Sequence, residues 1–206
     1  MNGILAKKLG MTQIFTDQGE RVPVTVLEAG PCVVICHKTI ENDGYAAVQI
    51  GFGLKKEARL NKAEEGLFQK AGVTAREHLA EIREEELSAW PIGKEFGTAD
   101  VFADAKVVNV SGVSKGRGFS GTIKRHNFNC GPRSHGSHNI REPGSQSAHS
   151  FPGRVFPGKR LAGQYGNKKV TVKNLAVVKV DNDRNLLYVK GAVPGPKNGI
   201  IVVRKG

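Results

Sequence analysis

Residues 111–173 set the tightest limit on what this chain can fold into. Twelve of them are basic: Lys115, Arg117, Lys124, Arg125, Arg133, Arg141, Arg154, Lys159, Arg160, Lys168, Lys169 and Lys173. Glu142 is the only acid, so the window carries +11 of the chain's +12 and leaves the other 143 residues almost neutral. It also holds 11 of the 26 glycines, and between Asn127 and Gly158 no apolar run is long enough to line a core. Like charges held together repel and oppose compaction. This third of the chain therefore cannot be an independent hydrophobic domain. A functional extension, ordered by a polyanion that neutralises it, fits instead. A membrane surface would favour an amphipathic helix with an apolar face, which glycines, prolines and single aromatics do not supply. Nucleic acid is the partner this composition favours.

The rest of the 206 residues reads as one globular body. Overall 39% of the chain is hydrophobic, enough for a normal core. Nothing approaches eighteen consecutive apolar residues, which rules out a membrane-spanning helix. The opening Met1–Lys8 lacks the apolar stretch of a secretory signal. Three cysteines, Cys32, Cys36 and Cys130, make no disulfide framework, so a reducing, cytosolic setting is expected.

Short strands dominate the pattern. Val22, Val24 and Val26 alternate with Pro23, Thr25 and Leu27, after a turn signal at Asp17-Gln18-Gly19. Cys32 to Cys36 and Tyr45 to Ile50 are two further strands, separated by Asn42-Asp43-Gly44. Residues 57–87 change character: acids interleave with Lys and Arg, and Leu67, Phe68 and Ala71 fit a helical spacing. Strand signals return at Val107 to Val110, Val170 to Val172, Ala176 to Val180, Leu186 to Val189 and Ile200 to Val203, with Asp181-Asn182-Asp183 as a hairpin turn. A small barrel or sandwich follows, interrupted by a helical insertion over 57–95. The body is expected over 1–113 and 165–206, and the basic extension over 114–164.

Several motifs invite sharper chemistry. Gly116-Arg117-Gly118-Phe119-Ser120-Gly121 matches G-x-G-x-x-G, and a barrel enzyme holding a nucleotide phosphate there is the alternative reading. A dinucleotide site also needs a crossover helix on a parallel sheet, yet Lys124-Arg125-His126 follow where apolar packing is required. Closely spaced glycines flanked by cations suit an RNA backbone instead. His126, His135, His138 and His149 lie near Cys130, but one cysteine without paired ligand spacing is a poor zinc set, so no metal is expected. Contacts to bases, phosphates or 2′-hydroxyls suit these histidines better. Cys32 and Cys36, four apart, are expected on one face of a strand as small apolar residues. Glu84-Glu85-Glu86 reads as a solvated face, no G-x-S-x-G nucleophile motif is present, and catalysis has no support.

The whole chain resembles the family of bacterial large-subunit ribosomal protein three. Met1-Asn2-Gly3-Ile4-Leu5-Ala6-Lys7-Lys8-Leu9-Gly10-Met11-Thr12-Gln13-Ile14-Phe15 is similar to that family's opening. The likeness continues through Ser114-Lys115-Gly116-Arg117-Gly118-Phe119, Lys124-Arg125-His126-Asn127-Phe128, Ser134-His135-Gly136-Ser137, Pro152-Gly153-Arg154-Val155-Phe156 and Asn185 to Gly195, in collinear order. The resemblance implies a mainly β fold: a six-stranded translation-protein-like β-barrel with a small α-containing insertion and a long irregular basic extension. It also implies a structural, non-enzymatic component of the large ribosomal subunit, cytoplasmic and without a cofactor or small-molecule substrate. The partners implied are the large-subunit (23S) ribosomal RNA near its 3′ end and the neighbouring large-subunit proteins fourteen and nineteen. A role in early assembly and a loop reaching towards the peptidyl transferase centre come with them.

The RNA-binding residues expected are Lys115, Arg117, Lys124, Arg125, His126, Asn127, Arg133, His135, His138, Arg141, Arg154, Lys159, Arg160, Lys168 and Lys169. Two departures from the family pattern stand out. The glutamine methylated in some relatives corresponds to Ala148, with Gln146 two residues early, so no modification is expected. His126 stands where other relatives have Trp, which weakens base stacking there.

Overall fold

The computed structural model describes residues 1–147 and 149–206. Ala148, the position matched to the family's methyl-glutamine, lies outside the described residues. In chain order the strands are β1 (Gly3–Phe15), β2 (Arg21–Glu28), β3 (Cys32–Lys38), β4 (Ala47–Leu54), β5 (Arg76–Arg83), β6 (Glu95–Phe96), β7 (Val107–Val113), β8 (Phe119–Ser120), β9 (Gly163–Gln164), β10 (Lys169–Asp181), β11 (Leu186–Lys190) and β12 (Ile200–Lys205). The helices are α1 (Ile40–Asp43), α2 (Lys62–Ala71), α3 (Thr98–Phe102) and α4 (Thr122–His126).

Six strands close a barrel in the order β1-β12-β7-β10-β11-β2, every pair antiparallel. Closure leaves no barrel edge to pair with a stranger. The period-two pattern fills it: Ile4 and Ala6 face Val203 and Ile201, Val203 faces Val110, and Leu187 faces Leu27. None of these is more than 2% exposed. Gly112 sits opposite Ile201 because a Cβ there would come within 2.7 Å of the Ile201 Cγ2. Lys8 continues the inward row opposite Leu27, and its ammonium donates to the carbonyls of Val193 and Gly195 at 2.9 and 3.0 Å. Those bonds offset the cost of drawing the charge out of water.

In β2 burial does not follow the valine alternation alone: Val24, Thr25 and Leu27 are all buried. Thr25 and Leu27 lie opposite Val189 and Leu187 and point inward, while Val22 and Val26 stay partly exposed. Thr25 is tolerated inside because its hydroxyl donates to the Gly191 carbonyl at 2.6 Å.

A second sheet, ordered β5-β4-β3-β6, packs on β1 and extends the same core through Cys32, Val34, Val48, Ile50, Phe52, Ile82, Trp90 and Phe96. The rings of Trp90 and Phe96 meet edge to face at 5.1 Å. Within the helical insertion expected over 57–95 the only α-helix among the described residues is α2, with 3-10 turns at Glu57–Arg59 and Leu87–Ala89. Asn61 and Glu64 cap α2 reciprocally, and Gly72 ends it in the left-handed conformation. Residues 76–83 form β5 instead of a second helix. Their Glu, Ala, Leu and Arg favour helix intrinsically, but Arg76 and Ile82 bury on one side while Glu77 and Glu81 face out, and the ladder to β4 prevails.

Cys32 and Cys36 do not share a face. The register of β3 shifts between Val34 and Cys36, so Cys32 lies opposite Phe52 in the core while Cys36 lies opposite Gln49. The Cys36 thiol donates to the Gln49 side-chain oxygen at 3.1 Å. One extra residue in a strand inverts the faces beyond it. Burial pushes the Cys32 thiol up to about 12.

The chain divides into two compact units, Met1–Ser114 with Lys169–Gly206, and Lys115–Lys168. Among the described residues no helix is long and apolar enough to cross a membrane.

Candidate nucleic-acid interface

Among its described residues the second unit has no apolar interior. Along the chain, the fully buried hydrophobic residues stop at Val110 and resume at Leu187. Within 115–168 only Ser120 and Thr122 are buried among the described residues. Backbone bonds and stacked side chains hold this unit together instead.

Its two ends run side by side. Phe119 and Ser120 of β8 pair with Gln164 and Gly163 of β9, antiparallel. The Arg117 N–H donates to the Tyr165 carbonyl at 2.8 Å, and the Tyr165 N–H to the Gly118 carbonyl at 2.9 Å. The Arg117 guanidinium lies over the Tyr165 ring, 5.0 Å from its centre, a cation–π contact that leaves the charge at the surface. Beyond this ladder α4 places Lys124, Arg125 and His126 in its last turn, where cations suit the helix dipole. Asn127 ends α4 at φ 58°, a conformation asparagine tolerates better than most residues.

The G-x-G-x-x-G glycines therefore open an antiparallel two-stranded ladder followed by a five-residue helix. A dinucleotide fold needs a parallel strand and a full crossover helix. That geometry is missing from this segment.

Further out, the Gly131 N–H donates to the Ile140 carbonyl at 2.9 Å and closes a loop that carries Arg133, His135 and His138, all exposed. Arg141 follows it, also exposed. Gln146 turns back on its own backbone, donating to the Gly144 carbonyl at 2.9 Å. Arg154 stacks its guanidinium 5.7 Å from the centre of the Phe156 ring. Cys130 and the four histidines form no metal set: among the described residues no three His, Cys, Asp or Glu side chains converge.

Ion pairing separates the two units. Within the barrel unit Lys38 meets Asp43, Lys55 meets Glu64 and Arg76 meets Glu95. Lys115, Lys124, Arg133, Arg141, Lys159 and Arg160 are exposed and stand in no ion pair among the described residues. Lys168 and Lys169 are exposed as well, Lys169 as the first residue of β10. Arg125 and His126 differ. Both are partly buried, and both reach the Leu161 carbonyl, at 2.6 and 3.1 Å.

Sequence reasoning passed over three phenylalanines. Phe119, Phe151 and Phe156 are 80%, 90% and 57% exposed. Each stands beside a glycine, a serine or a proline inside the cationic segment, and that setting was the available signal. Exposed rings among cations are the elements of a stacking platform for bases.

Residues 81–185 match the family model described as ribosomal protein L3. The chain is 55% identical over 203 residues to large ribosomal subunit protein uL3 of Pelotomaculum thermopropionicum, covering 98% of this chain and 96% of that one. It is 54% identical to the uL3 of Prochlorococcus marinus strain MIT 9515, over 98% of this chain and 93% of the relative. The uL3 of Carboxydothermus hydrogenoformans is 51% identical, with 98% and 96% covered.

Proposed function

The chain belongs to the ribosomal protein L3 family, and on that premise we propose that residues 115–169 bind large-subunit ribosomal RNA while the barrel fixes where they start and end. The protein is a structural constituent of the large ribosomal subunit in the cytoplasm, not an enzyme. Its phosphate contacts are drawn from Lys115, Arg117, Lys124, Arg133, Arg141, Arg154, Lys159, Arg160, Lys168 and Lys169, with Asn127, His135 and His138 as polar contacts to sugar or base. The RNA is the 23S molecule near its 3′ end. The extension runs towards the peptidyl transferase centre, the protein acts early in assembly, and large-subunit proteins fourteen and nineteen are its neighbours.

One observation carries this reading. A 54-residue unit in which no described hydrophobic side chain is buried presents Lys115, Lys124, Arg133, Arg141, Lys159 and Arg160 exposed and in no ion pair among the described residues. Such a surface gains free energy by displacing counterions from a polyanion. If about half of the twelve cations of residues 111–173 engage phosphates, log K falls with log salt at a slope of roughly −4 to −5. Titration of deproteinised 23S RNA with the protein across a salt series tests this. A slope near zero would overturn it.

A further inference from the structure

Arg125 and His126 meet at one atom. The Arg125 Nη1 donates to the Leu161 carbonyl at 2.6 Å, and the His126 Nε2 lies 3.1 Å from the same oxygen. A carbonyl oxygen has two lone pairs and accepts both when His126 carries its proton on Nε2. The bond joins the outgoing chain, at the end of α4, to the returning chain just before β9. It sits one step beyond the β8–β9 ladder and extends it with side chains.

Gly163 makes the approach possible. A Cβ there would come within 2.9 Å of the Arg125 Nη1 and 3.3 Å of its Cζ. The backbone of Gly163 lies in an ordinary strand, outside the left-handed region. Alanine is therefore allowed conformationally, and its Cβ would push the guanidinium off its place on the Leu161 carbonyl.

Charge alone groups Arg125 with Lys124 as a phosphate contact. The geometry separates them: Lys124 is exposed, and Arg125 is partly buried against the returning chain. We propose that Arg125, with His126, is a positioning residue that closes the neck of the extension and sets the direction of the exposed cations beyond it. The inference rests on the RNA-binding reading for its functional consequence, and on the free protein alone for its structural one. Lysine is a poor substitute, because a point charge on a flexible stem lacks the planar fork that holds Nη1 on one carbonyl.

The test compares Arg125→Lys, Gly163→Ala and Lys124→Gln in the full chain. Arg125→Lys keeps the charge, and Gly163→Ala changes no charge at all. Both are expected to weaken binding to deproteinised 23S RNA about three- to tenfold at fixed salt, the loss typical of one ordinary hydrogen bond. Their salt slopes stay at the wild-type value. Lys124→Gln instead lowers the slope by about 0.7–0.9, as one lost phosphate contact should. In the free protein, hydrogen exchange at the Arg117 and Tyr165 amides is expected to quicken in Arg125→Lys and Gly163→Ala, while amides of β7 and β12 keep wild-type rates. Wild-type exchange at Arg117 and Tyr165 in both variants would overturn the proposal. So would an Arg125→Lys variant that binds normally beside an Arg125→Gln variant with a reduced slope. If the wild-type protein shows no salt-dependent binding, the RNA reading fails, and the exchange rates still decide the neck by themselves.

Discussion

Val113 and Lys169 face each other across the β7–β10 ladder. The chain leaves the barrel after one and re-enters it at the other, a Cα–Cα separation of about 5 Å in an antiparallel pair. Nothing between them is needed to close the β7–β10 pair, so residues 115–168 can be exchanged for a four-residue Gly/Ser linker that simply makes a hairpin. The shortened protein is expected to melt in one cooperative transition within about 4 °C of wild type, the shift that ~1 kcal/mol produces in a chain of this size. Calorimetry and circular dichroism check this. A broad transition would show that the extension supports the core.

Glu64 links the helix cap to an ion pair. Its carboxylate accepts from the Lys55 ammonium at 2.7 Å and from the Asn61 N–H at 3.3 Å, and these two bonds hold its pKa below the ordinary value of 4.5. A carboxylate lowered on folding adds stability that is fully present above the unfolded pKa and disappears as pH falls through the folded one. Glu64→Gln should therefore flatten the stability profile on the acid side of pH 4.5, with little change in its shape near neutrality. Asn61→Ala removes the other half of the cap and is expected to lose about 1 kcal/mol at all pH values. Urea melts between pH 3 and 7 separate the two effects, and identical acid limbs for wild type and Glu64→Gln would refute the assignment.

The three thiols should react in the order of their exposure. Cys130 is exposed, Cys36 is partly buried on Gln49, and Cys32 is fully buried with its pKa raised by desolvation to about 12. Only a thiolate attacks a disulfide reagent, so native protein at pH 8 is expected to titrate Cys130 rapidly, Cys36 slowly and Cys32 only on unfolding. The raised pKa also has a sign. An acid whose pKa rises on folding favours the native state below its unfolded value of 9.0, and that contribution is lost as pH climbs towards 12. Relative to wild type, Cys32→Ala should relieve the alkaline loss of stability by up to about 1.4 kcal/mol per pH unit.

Charge and alternation made much of this fold legible. The division into a near-neutral body and a cationic segment follows from where acids are absent, and strands such as Val107–Val113 follow from period-two burial that the barrel requires. Asp181-Asn182-Asp183 marks the β10–β11 turn because short polar side chains satisfy a turn's own backbone. What escaped notice depends on partners distant in sequence. The shift between Val34 and Cys36 moves Cys36 off the core face, and no local pattern signals an extra residue. Residues 76–83 have helix composition but lie beside β4. Arg125 looks like any other cation until Leu161 and Gly163 are brought against it. A charge's presence is written in the sequence, whereas its direction is set by packing.

Phe102 and Phe151 give the clearest contrast between the two units. Phe102 is completely buried in the barrel unit, within the shared core cluster, whereas Phe151 is 90% exposed. Truncating a buried phenylalanine removes its transfer free energy and leaves a cavity, so Phe102→Ala is expected to lose about 3–5 kcal/mol. Phe151→Ala touches no core contact and should change stability by no more than about 0.5 kcal/mol. In RNA binding the order reverses. An exposed ring that stacks on a base contributes roughly 1–3 kcal/mol, so Phe151→Ala should weaken binding to 23S RNA at least about fivefold, with the salt slope unchanged because no phosphate contact is lost. Phe102→Ala, measured below its melting temperature, should keep the wild-type affinity. Chemical denaturation and filter binding on the same two preparations decide the matter: equal affinities for Phe151→Ala and wild type would leave this ring without a role in the interface.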